Sequence, residues 1–156
     1  FAYFQRNAKN IIDYVKENED DLWNAQNIGS LKTKGFELDL KYLFKNKNYL
    51  SFGYTNLKDD NYISNINFSR YTINSLKHHI TTNLNLNYLK HLNHTFVLKY
   101  SERSDNYNYT ILDSKIMYKK GLFIYINNIL DEVYSETNLV PMPGRNILIG
   151  FSVVID

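Results

Sequence analysis

The 156-residue chain carries 18 basic and 16 acidic side chains, a formal charge of +2, so it has no basic field of the kind that gathers nucleic-acid phosphates. It has no cysteine, which excludes disulfides and thiolate metal sites. Its longest aliphatic-aromatic run, Leu122-Phe123-Ile124-Tyr125-Ile126, falls far short of the roughly 20 apolar residues a spanning helix needs.

Phe1-Ala2-Tyr3-Phe4-Gln5 opens as a strand already in progress, with no initiator Met, no basic n-region and no apolar h-region, and is expected to belong to a longer chain. Period-two alternation predicts about eight strands, at roughly 1–15, 23–43, 49–57, 77–89, 94–102, 108–119, 121–130 and 146–155. The clearest are Phe36 to Tyr42, apolar at even positions and charged at odd ones, and Ile80 to Tyr88, with an apolar face backed mostly by Asn. Asn10 to Val15 alone also passes for one helical turn. The last strand sets Ile147, Ile149, Phe151, Val153 and Ile155 on one face.

Short polar turns are predicted at 45–48, 90–93 and 119–121, and longer connections at 58–76, 103–107 and 131–145. Alternating tight and long connections suit an outer-membrane barrel, tight at the periplasmic end and long outside. Tyr supplies 14 residues against 9 Phe and 1 Trp. Tyr42, Tyr88 and Tyr118 each precede a short turn, where an inner aromatic girdle would lie. The competing architecture is a soluble antiparallel sandwich or small barrel with a solvated Asn face.

Two stretches carry a family resemblance. Asn27 to Leu38, with Thr33, Gly35 and Glu37, resembles the Asn-x5-Thr-x-Gly-aliphatic-Glu segment of late barrel strands in TonB-dependent receptors, with Phe36 in the aliphatic place. Asn128-Ile129-Leu130-Asp131-Glu132-Val133-Tyr134 resembles the Asn-Leu-Phe-Asp-x-x-Tyr motif before the last loop, and Pro143-Gly144-Arg145 then precedes the final strand, as in that family. The chain departs from the pattern at Val154-Ile155-Asp156, where such barrels usually end in an aromatic residue.

The resemblance implies an all-β fold: an antiparallel transmembrane β-barrel in the cell outer membrane, of which residues 1–156 supply the C-terminal strands out of about 22. The plug domain would lie outside these residues. It implies active uptake of a large scarce nutrient, powered by TonB acting on the plug. Asn10 to Val15, Trp23 and the Asn27 segment look most like cobalamin receptors. A siderophore-iron receptor and a complete eight-stranded structural or adhesin barrel are the alternatives. Outward-loop residues Tyr62, Asn65, Tyr71, Tyr107 and Tyr134 are the expected ligand contacts, offering stacking and hydrogen bonds to a corrinoid or ferric siderophore.

The motifs also make physical sense alone. Gly35 allows close backbone approach, Pro141 and Pro143 stiffen a re-entering loop, and Gly144 permits its turn. Asn128 and Asp131 suit side-chain bonds to nearby backbone, and Arg145 suits a carboxylate partner at the rim.

No cofactor, metal or catalytic residue is expected. His91 and His94 have a ligand-like gap but fall at a predicted turn. Ser69, Ser75, His78 and Asp59 lack any nucleophile motif. Glu19-Asp20-Asp21 and Asp59-Asp60 read as solvated loop clusters before calcium sites.

Overall fold

Side chains that alternate apolar and polar along a strand can satisfy both faces of a sheet only if one face meets apolar surroundings and the other meets water. The computed structural model describes residues 1–61, 67–70, 76–104, 106–118, 121–137 and 140–152. It forms β1 (Ala2–Lys9), β2 (Ile12–Lys16), β3 (Asn24–Asn27), β4 (Ser30–Leu43), β5 (Tyr49–Asn61), β6 (Phe68–Ser69) and β7 (Leu76–Leu89). The second half adds β8 (Leu92–Arg103), β9 (Asn108–Tyr118), β10 (Leu122–Asn127), β11 (Ser135–Thr137), β12 (Val140–Pro141) and β13 (Asn146–Phe151).

Eight of these make one antiparallel sheet in the order β1-β4-β5-β7-β8-β9-β10-β13. Consecutive wall strands are neighbours throughout, the up-and-down order of a barrel wall. The fold is the antiparallel all-β wall expected. The sheet is open. Phe4 pairs with Gly35 and Phe151 with Leu122, and among the described residues β1 and β13 do not pair with each other. The eight strands therefore do not close into a small barrel of their own.

The register sorts the wall into two faces. One carries Thr33, Glu37, Asp39 and Lys41 of β4, Ser51 and Thr55 of β5, and Thr81, Asn83, Asn85 and Asn87 of β7. Asn93, Thr95 and Lys99 of β8 and Asp113 of β9 continue it. The other carries Leu38, Leu40, Phe52, Ile80, Leu84, Phe96, Leu98, Ile116, Ile124 and Ile149. This apolar face is bare: Leu40 is 56% and Ile149 67% exposed. Among the described residues only Val15, Ile28, Tyr109 and Ile111 are buried apolar side chains, so no second layer covers it as a soluble sandwich would require.

Aromatic residues ring that face at both ends. Tyr42, Tyr88 and Tyr118 lie beside the short turns, with Phe44 packed edge-on against Tyr42 at 4.7 Å. At the other end Phe36, Tyr54 and His78 form a chain of ring contacts, 5.4 Å and then 6.0 Å between centroids.

Five expectations need correction. The strands predicted at 1–15 and 23–43 each break, at Asn10 and Gly29, which take left-handed φ of 55° and 87°. Beyond the breaks β2 and β3 remain paired but leave the wall, forming a separate sheet in the order β3-β2-β6. Ile12 to Val15 is accordingly strand and not part of a helical turn, with Asn10 at the break. The 103–107 connection is tight, with Asn106 N donating to Arg103 O at 3.0 Å, because β8 runs to Arg103. The turn at 90–93 shrinks to Lys90 and His91, which places His94 within β8, bonded to Ser114 Oγ at 2.8 Å. The strand predicted at 121–130 ends at Asn127, and Val153 to Asp156 lie outside the described residues.

Candidate functional site

The long connection between β10 and β13 is organised by one side chain. Asn128 is 2% exposed and takes a left-handed φ of 51°. Its backbone N–H donates to Asp113 Oδ1 at 2.8 Å, tying the loop to β9. Its carboxamide donates to Glu132 O at 2.9 Å and Pro143 O at 3.4 Å, and accepts Glu132 N at 2.9 Å. An amide suits this place because it supplies two donors and an acceptor, and because Asn tolerates left-handed backbone.

Asp131, also left-handed at φ 56°, accepts Arg145 N at 2.8 Å through Oδ1, and its Oδ2 lies 3.5 Å from Arg145 Nη2. A Cβ at Gly144 would stand 3.0 Å from Asp131 Oδ1, so the glycine leaves room for that bond. Arg145 also donates to Ile129 O at 3.4 Å. The expected carboxylate partner of Arg145 is thus Asp131, at an exposed rim. Pro143, Gly144 and Arg145 form the return of the loop onto the wall, and Pro141 sits in β12.

This clasp roofs a cavity of about 300 Å³ at the long-loop end of the polar face. Asp113, Tyr125, Asn127, Tyr134, Met142 and Lys99 help line it. Tyr134 is held by Met142 N donating to its carbonyl at 2.9 Å, and its ring lies 4.7 Å from Tyr109, which is 6.0 Å from Tyr107. Tyr107 Oη in turn accepts Ser135 N at 3.1 Å. Burial, reinforced by the charges of Glu136, Tyr109, Asp113 and Tyr125, pushes the Tyr134 phenol above its usual range. The phenol therefore stays a neutral donor. Lys99 stands 3.9 Å from Asp113, partly offsetting its charge.

Two of the five expected ligand contacts, Tyr107 and Tyr134, are brought together here. Tyr62, Asn65 and Tyr71 lie outside the described residues. Tyr109, Tyr125 and Asp113 were not foreseen as site residues, although alternation in β9 already sets Tyr109 and Asp113 on one face. Thr33 and Glu37 lie elsewhere on the polar face, opposite Asp59 and Thr55. Gly35 faces Phe4, whose ring would meet an added Cβ at 2.7 Å.

Below the cavity the polar face is an amide network. Asn93 donates to Asn85 and to Asn87, each at 3.0 Å, and Asn85 donates to Thr95 Oγ1 at 2.8 Å. A larger cavity of about 580 Å³ opens at the short-turn end beside Leu89, Leu92 and Met117, and neither Tyr107 nor Tyr134 lines it.

Of the catalytic and metal candidates, Ser69 is engaged elsewhere: its hydroxyl donates to the buried Asp13 at 2.5 Å. His78 Nδ1 bonds Tyr54 Oη at 2.8 Å on the apolar face. Ser75 is outside the described residues. No group of three potential metal ligands occurs among the described residues.

Compared with known families, residues 1–129 match the model of the TonB dependent receptor-like β-barrel. The chain belongs to the TonB-dependent receptor β-barrel family. The match spans all strands from β1 to β10 and ends within the Asn128 clasp, so Tyr134 and Pro143-Gly144-Arg145 lie past it. No curated protein and no solved structure matches the chain. Members are outer-membrane receptors and transporters, not enzymes, and membership accounts for both faces of the wall: the bare apolar face meets lipid and the amide face lines the lumen.

Proposed function

We propose that the chain is the C-terminal wall of a TonB-dependent receptor that captures a large, scarce, polar nutrient at its outer end, with a plug domain elsewhere in the protein as the element TonB acts on. The observation that carries this is the tyrosine-lined cavity under the Asn128 clasp, at the long-loop end of the luminal face. It combines ring faces, a neutral phenol, amides and a carboxylate, the mixture that grips one part of a large polar organic molecule. Short turns at the other end make this the outer end.

The ligand we propose is a corrinoid. Support comes from the resemblance of Asn10 to Val15, Trp23 and the Asn27 segment to cobalamin receptors; of these, Ile12 to Val15 and Asn27 lie in the outlying sheet beyond the wall. The test is equilibrium binding by the intact receptor in detergent. Nanomolar binding of cyanocobalamin, weakened about tenfold by Tyr134→Ala, is the expected result. Binding of a ferric siderophore with none of cyanocobalamin would replace the ligand, and binding of neither would remove the transport reading.

A further inference from the structure

On the lipid-facing side of β1, β4 and β5, just beyond the outer aromatic ring, the register places four lysines together. Lys34 stands directly opposite Lys58, Lys32 lies two residues further out on β4, and Lys9 ends β1 opposite Ser30. Across β1 the partners of Lys32 and Lys34 are the neutral amides of Asn7 and Gln5. Asp60, opposite Lys32, is the one acid that this stretch of the face offers among the described residues.

Like charges set directly opposite on paired strands are destabilising. None of these lysines takes part in an ion pair among the described residues, whereas Lys77, at the same rim one strand on, lies 2.7 Å from Glu102. The four are also fixed in height. Phe36 lies two residues inward of Lys34, about 7 Å along the strand, and its ring contact with Tyr54 marks the interface between apolar core and headgroups. Lys34 and Lys58 stand one step above that ring, Lys32 two steps and Lys9 three, so their ammonium groups, pointing away from the lumen, rise through the headgroup layer of the outer leaflet.

We propose that Lys9, Lys32, Lys34 and Lys58 form a binding patch for the phosphate groups of an outer-leaflet lipid. The phosphate bridges Lys34 and Lys58, turning a repulsive pair into a shared anion site, while Gln5 and Asn7 offer amide donors beside it. The patch faces away from the lumen and is independent of the ligand cavity. It rests on the outer-membrane reading of the wall.

The experiment compares the intact receptor with a Lys34→Gln/Lys58→Gln variant, measuring binding and thermal stabilisation by diphosphorylated lipid A, by its dephosphorylated form and by inorganic phosphate. The expected result is stabilisation of the original protein by the diphosphorylated lipid alone, with affinity about 30-fold lower in the variant. In lipid-free zwitterionic detergent the variant should be at least as heat-stable as the original, because it sheds the repulsion, and this shows that it folds. Equal lipid response in both proteins, or equal protection by inorganic phosphate, would overturn the proposal. A receptor that fails to insert into outer-membrane vesicles would instead overturn the membrane reading beneath it.

Discussion

Asn128 and Glu132 are joined twice, by a carboxamide N–H to the Glu132 carbonyl and by the Glu132 N–H to the carboxamide oxygen, both at 2.9 Å. The two bonds close a single loop turn around a buried, left-handed residue. Any replacement must keep both bonds and the backbone conformation. Asn128→Ala keeps neither, and should cost about 2–4 kcal/mol from unsatisfied buried groups and left-handed strain. Asn128→Gly relieves the strain but not the bonds and should fall between. Urea unfolding of the refolded barrel measures the order.

Gly35 is enclosed by backbone as well as by side chain. An added Cβ would lie 2.7 Å from Asn56 O, from Leu57 Cδ2 and from Phe4 Cζ. Gly35→Ala should therefore destabilise by about 1–3 kcal/mol. Phe4→Ala should not rescue it, because the Asn56 carbonyl remains. Gly53 supplies the contrast: its nearest obstacle at 2.7 Å is Thr81 Oγ1, the end of a side chain, so Thr81→Ala should relieve Gly53→Ala and the pair should be clearly non-additive. Heat-modifiable mobility of the four variants checks both.

The wall was legible because its signal is local: alternation in β4 and β7 states which residues face lipid and which face the lumen. Where the fold departs from the strand count, the cause is not local. Nothing in Asn10 or Gly29 alone says that both arms of one hairpin will bend at the same level, since the residues beyond still alternate. The two-residue β6 has no periodicity to read, and its tie to β2 spans 56 residues of sequence, from Ser69 to Asp13. The site was half visible. Tyr134 announced itself through its motif, but Tyr109, Tyr125 and Asp113 come from strands whose alternation marks a face and not a cavity.

The raised Tyr134 phenol has a sign that can be worked out. Burial, then the neighbouring acidic groups, disfavour its anion in the folded barrel. The neutral form's contribution is complete below the unfolded tyrosine pKa of about 10, and is lost as pH rises from there through the higher folded value. Stability of the loop should fall in that alkaline window, and Tyr134→Phe should remove its share of the loss. Tyrosinate absorbance of the original minus the variant should titrate above the usual range. A difference curve centred at the ordinary value would show that the ring is not enclosed as described.

Asp13 holds the outlying sheet together, and its effect should be local. It is 2% exposed and accepts Ser69 Oγ through Oδ2 and Tyr14 N through Oδ1 at 2.7 Å, joining β2 to β6. On the other side of that sheet Trp23, the chain's single tryptophan, lies within 5.4 Å of Arg70 and 5.2 Å of Lys16. Its emission therefore reports whether residues 67–70 are docked. Asp13→Ala should undock them, shifting Trp23 emission to the red, while the wall unfolds at unchanged denaturant concentration because β2, β3 and β6 lie outside the eight-stranded sheet. Ser69→Ala should do less alone, since Tyr14 N still has its acceptor, and adding it to Asp13→Ala should change little more. The coupling in that double-mutant cycle should be about 1.5–3 kcal/mol, the range for a hydrogen bond to a charged group. Fully additive effects would mean that the Asp13–Ser69 bond does not hold the sheet, and a wall that softens along with Trp23 would mean that the two sheets are one cooperative unit.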